Sequence, residues 1–148
     1  MLTLILTNNT EKTPMSLLDL NLSEREELKI LPDNQEAMLR VSRADVTPNK
    51  SDPSRNNLAL VFDCPEDPLV DDIRVWLPIP NATIRAEDPK RYTKQLNRIA
   101  GFLDSVGVDG DNLDTEDLLG KECWALISED EGLDGSPQNG VRRFIVRK

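Results

Sequence analysis

Ile73-Arg74-Val75-Trp76-Leu77-Pro78-Ile79 is the stretch from which the fold can be read. Ile73, Val75, Leu77 and Ile79 alternate with Arg74, Trp76 and Pro78, the period of two that a half-buried strand requires. Parity alone then sends an aliphatic row inward and sets Trp76 beside Arg74 on the outer face. Two apolar runs with strand spacing precede this one, at Met38 to Val46 and Leu58 to Phe62. An amphipathic helix at Pro89 to Val106 follows it, and further strand runs at Glu122 to Ser128 and Val141 to Val146 come last. Five strands with the single long helix between the third and fourth predict a mainly β OB-fold barrel.

In the first strand Leu39 and Val41 share one parity, whereas Ala44 and Val46 take the other. The alternation must slip near Ser42, and a β-bulge there leaves Arg40 and Arg43 both pointing outward. In the second strand Leu58, Leu60 and Phe62 point inward and Ala59 and Val61 outward. The Pro48 to Asn56 loop between these strands is polar and carries Lys50 and Arg55.

The helix has strong end signals. Asp88 can cap its free amides, Pro89 suits the first helical position, and Gly107 suits its end. Tyr92, Leu96, Ile99, Leu103 and Val106 form one stripe expected to plug the barrel's open end, with Arg91, Lys94 and Arg98 on the far face. At the other end of the chain, residues 1 to 14 lack periodicity and read as a flexible arm before a single domain at 15 to 148, with Met15 an alternative start. Leu17, Leu18, Leu20 and Leu22 are expected to lie across the barrel, and Ser23 with Glu26 has capping-box spacing for a short helical turn.

The chain has 148 residues, enough for one self-sufficient core. Its net charge is -9, but residues 109 to 134 hold ten acids and one base, while residues 85 to 108 hold five bases and three acids. The acidity is therefore local, and the helix and the last strand are locally basic. Cys64 and Cys123 lack neighbouring ligand types and are expected to stay reduced, which suits a cytoplasmic location. The Met1 to Leu6 run is too short for a signal peptide, and no segment approaches the roughly 18 apolar residues of a membrane span. The sequons at Asn8, Asn21 and Asn81 carry no information without a secretory route.

With no histidine in the chain, Ser-His-Asp and Cys-His nucleophile systems and the commonest zinc ligand are excluded. Asp88-Pro89-Lys90, downstream of Asp71 and Asp72, has the residue types of a metal-dependent nuclease, yet Pro89 opens a helix where that chemistry needs a strand lysine. Asp109 to Asp114 has a calcium-loop look, but Leu113 occupies a ligand position and no glycine follows where required. No cofactor, metal or catalytic activity is expected. The one constellation with a mechanism is Arg40, Arg43, Lys50, Arg55, Arg74 and Trp76. OB barrels bind single strands across this face, with cations along the phosphates and aromatic rings under the bases. Trp124 lies on a strand apolar on both faces, which favours burial. The terminal Arg142, Arg143, Arg147 and Lys148 read as a solvated edge.

The segments "MSLLDLNLSEREELKILPDNQEAMLRV", "TPNKS", "FDCPEDP", "LNRIAGFLDSVGV" and "DLLGKECWALI" together span nearly all of the chain after residue 14. In these the chain resembles a family of small tailed-bacteriophage and prophage proteins, met near replication and recombination genes and resembling phage single-stranded DNA-binding proteins. The resemblance implies a non-catalytic protein of the bacterial host cytoplasm that binds single-stranded DNA in phage DNA replication or recombination, in company with phage replication or recombination proteins. The chain departs from phage single-strand binders in ending "RRFIVRK" in place of an acidic tail. The rival expectation is an acidic protein-interaction module, an inhibitor or assembly subunit presenting Asp109 to Glu122 to a basic partner. Unpaired strand edges leave a homo-oligomer open.

Overall fold

A computed structural model describes residues 20–111 and 113–146. The strand runs become β1 (Glu36–Pro48), β2 (Asn56–Asp63), β3 (Ile73–Ile79), β4 (Glu122–Glu131) and β5 (Pro137–Ile145). They form one antiparallel sheet in the order β3-β2-β1-β4-β5. The closed barrel expected from the sequence is not found: β3 and β5 approach one another at the two ends of the sheet, but no ladder joins them. The outcome is a curled, mainly β sheet with a seam.

The bulge falls where the parity slip requires it. Val41 faces Phe62 and Arg43 faces Val61, so Ser42 has no cross-strand partner on β2. Its hydroxyl instead donates to the Val61 carbonyl at 3.0 Å, a side-chain bond at the point where the ladder is interrupted. On its other side Val41 N–H donates to Lys121 O at 2.9 Å and Val41 O accepts from Gly120 N–H at 2.8 Å. This arrangement lets β1 serve two neighbours, β4 along Glu36–Arg40 and β2 along Arg40–Pro48. A second slip, between Leu126 and Ile127 of β4, leaves Arg142 of β5 unmatched.

Leu39 and Val41 of β1, Leu58, Leu60 and Phe62 of β2, and Ile73, Val75 and Leu77 of β3 are buried as their alternation predicts. Two inward expectations fail at the strand ends. Val46 is exposed and Ile79 only half-buried, because the core stops short of that end of the sheet.

Helix α2 (Pro89–Val106) follows a short helix, α1 (Ala82–Glu87), that the sequence reading lacks. Asn81 caps α1 by accepting from Ile84 N–H, and Asp88 caps α2 by accepting from Arg91 N–H. Gly107 closes α2 at φ 71°, a left-handed conformation that glycine adopts without a Cβ penalty. The predicted stripe packs only in part. Leu103 is buried and Ile99 and Val106 pack against the core, but Leu96 is exposed and Tyr92 carries Arg85 over its ring at 5.5 Å. Phe102, outside the stripe, supplies the deepest contact, with ring centroids 6.0 Å from Phe62 and 5.0 Å from Phe144. Only the second half of α2 therefore lies on the core.

Before β1, a single 3-10 turn at Leu22–Glu24 is capped by Asn21, not by Ser23. Leu20 and Leu22 are exposed and cover nothing in the sheet. Leu17, Leu18 and the expected arm at 1 to 14 lie outside the described residues. The chain is next anchored where Lys29 bridges Val70 in parallel fashion and Leu31 meets Asn139.

Candidate nucleic-acid interface

Cross-strand register defines the outer face row by row. Trp76 lies opposite Ala59, which lies opposite Asp45; Arg74 lies opposite Val61, which lies opposite Arg43. Small Ala59 beside the indole leaves the ring open to solvent, and Trp76 is 56% exposed. The expectation that it faces water holds.

The six candidate residues divide into two groups. Arg40 donates from Nε and Nη2 to the two Asp63 oxygens at 3.1 and 2.7 Å, a two-pronged pair that makes its guanidinium harder still to deprotonate. Arg43 lies 3.3 Å from Asp45, and Arg55 3.2 Å from Asp52. The Ser54 hydroxyl and amide donate to Asp52 and hold its carboxyl below the usual range, so it stays charged opposite Arg55. Among the described residues Lys50 and Arg74 have no such partner. Three of the five cations are thus occupied by carboxylates, and two remain available beside the indole.

Trp76 stands between two clefts. One, of about 370 Å³, runs along Thr47, Asn49, Lys50 and Asn57. The other, of about 90 Å³, lies at the seam between β3 and β5, among Asp72, Arg74, Gln138 and Asn139. Sequence reasoning missed Asn57, Gln138 and Asn139. Asn57 had a signal in its outward parity on β2, whereas the β5 residues reach the site only through the curl of the sheet.

The other chemistry considered in the sequence takes simpler forms. Asp88 is a helix cap, and Asp109 accepts from Asp111 N–H at 2.9 Å in an acidic turn. Among the described residues no group of three or more His, Cys, Asp or Glu is arranged to hold a metal. Cys64 and Cys123 are free and buried, and Trp124 is half-buried. No helix among the described residues is long and apolar enough to cross a membrane.

The chain matches no protein-family model and no curated protein sequence.

Proposed function

We propose that the protein is a non-catalytic single-stranded DNA-binding protein of the OB type, with Trp76 as the stacking platform and Arg74 and Lys50 as phosphate contacts. The observation that carries this reading is the exposed indole flanked by the two cations that no carboxylate neutralises. A bulged first strand shared between β2 and β4, and a helix between β3 and β4, support the OB assignment. A stacked base contributes roughly 1–3 kcal/mol, so a single ring with two cations makes a weak site that prefers unpaired strands. A place in phage replication or recombination is proposed from the resemblance of the sequence alone.

Titrating oligo-dT into the Trp124→Phe variant, with tryptophan emission recorded, tests the proposal because Trp76 is then the only indole. Quenching at low ionic strength is expected. With two free cations log K should fall against log salt with a slope of about -1.4, whereas five working cations would give about -3.5. Arg74→Glu should remove the quenching. Emission unchanged by DNA at low salt overturns the proposal.

A further inference from the structure

Adjacent residues of β1 open onto different surfaces: Thr47 faces the Lys50 cleft, and Val46 faces an apolar groove at the end of the sheet where the core stops. The groove has a volume of about 730 Å³, within the range of roughly 300–1,000 Å³ typical of binding clefts. Val46, Leu58 and Ile79 form its sheet wall, and Leu96, Ile99 and Leu103 form its helix wall. Val46 is 53% exposed and Leu96 45%, although both sit at positions whose pattern assigns them to the interior.

Two properties of this groove define what fits it. The first is its helix wall. Leu96, Ile99, Ala100 and Leu103 follow the i, i+3, i+4, i+7 spacing and form an apolar ridge about 10 Å long at 1.5 Å per residue. Helices receive other helices through ridges and grooves of this kind. The second is its rim, where Asp104, Asp109 and Asp111 border the apolar floor with no base among the lining residues. The rim continues into residues 109 to 134, with ten acids against Lys121 alone.

From this charge pattern and this spacing we infer that the groove docks an amphipathic helix of a partner protein, aliphatic on one face and lysine- or arginine-rich on its flanks. The aliphatic face covers Val46 and Leu96, and the flanking cations meet the carboxylates at the rim. This mode of recognition takes its affinity from a few apolar anchors and its orientation and on-rate from charge. The surface is separate from the Trp76 face and does not depend on nucleic-acid binding.

The experiment uses a labelled synthetic helical peptide with leucines at i, i+3/i+4 and i+7 and lysines on the flanks, followed by fluorescence anisotropy with the full chain. A second peptide with glutamates in place of the lysines is the charge control. Saturable binding of the lysine peptide and none of the glutamate peptide is expected. Leu96→Gln combined with Val46→Thr alters solvent-exposed positions, keeps every charge, and should weaken binding about tenfold or more. Asp109→Asn with Asp111→Asn should weaken it severalfold and flatten its salt dependence. Binding that survives the Leu96→Gln, Val46→Thr variant is diffuse attraction to an acidic surface and overturns the proposal. So does failure of the lysine peptide to bind, the outcome expected if the chain's own Met1 to Leu6 run fills the groove.

Discussion

Asn139 and Leu31 exchange a closed pair of hydrogen bonds: the Leu31 N–H donates to Asn139 Oδ1 at 2.8 Å, and Asn139 Nδ2 donates back to Leu31 O at 2.9 Å. The same nitrogen donates to Ser128 O at 3.1 Å, and the whole group is buried. An amide on β5 thus serves as the ladder for a segment 108 residues away that belongs to no strand.

Asn139→Ala removes one partner from each of these backbone groups and leaves them dry. A loss of about 2–4 kcal/mol is expected, because orphaned buried polar groups cost roughly 1–3 kcal/mol each. Urea unfolding followed by far-UV circular dichroism measures it, and Asn139→Asp should be destabilising too, since a carboxylate cannot donate to Leu31 O.

Phe102 joins α2 to the sheet through Phe62 and Phe144 and is fully buried. Phe102→Ala should cost about 3–5 kcal/mol, whereas Leu96→Ala, at an exposed position on the same helix, should cost well under 1 kcal/mol. Chemical denaturation midpoints of the two variants separate packing from helix propensity.

Arg40 and Arg74 were equivalent candidates for binding DNA, but only one is free. Arg40→Gln should change oligo-dT affinity less than about threefold, since the paired guanidinium has little charge left to offer. Arg74→Gln should weaken binding about fivefold or more and make the salt slope shallower by about 0.7, the loss of one counterion. Affinities taken across a salt series distinguish the two.

Burial pushes the Cys123 thiol up to about 11, against a smaller opposing effect of the Ser105 hydroxyl. In the unfolded chain the thiol ionises near pH 8.5. Its contribution to stability is therefore complete below that pH and declines as pH rises toward 11. Iodoacetamide at pH 8 should leave Cys123 unmodified in the folded protein and alkylate it in denaturant, as mass spectrometry would show. At the acid end Asp33 is held below its usual range by the Glu129 backbone N–H and then by Arg142, so its contribution is lost as pH falls below about 4.

What the sequence revealed depended on how local the signal was. The bounds of β3 and α2 were readable to the residue, the one from strict alternation and the other from Asp88-Pro89 and Gly107. The bulge followed from a parity conflict inside one strand. Helix α1 was missed because six residues are too few for a period, although Asn81 offered a cap. The pairing of Arg40 with Asp63 depends on register between two strands, and the open seam depends on how far five strands curl together. Neither is written in any single segment. The direction of Trp76 was legible, but which cations beside it were already occupied was not.

Ser42 also divides β1 by how it tolerates change in length. Deleting one residue there would either turn Ala44 outward and Asp45 inward or drag the strand one step along β2, separating Arg43 from Val61. The polar Asn49 to Arg55 loop can gain or lose residues at little cost, whereas the strand leading to it cannot. Variation in chain length among proteins built on this plan should therefore collect in the loop beside Lys50, altering the reach of the DNA site while the wall behind it keeps its dimensions.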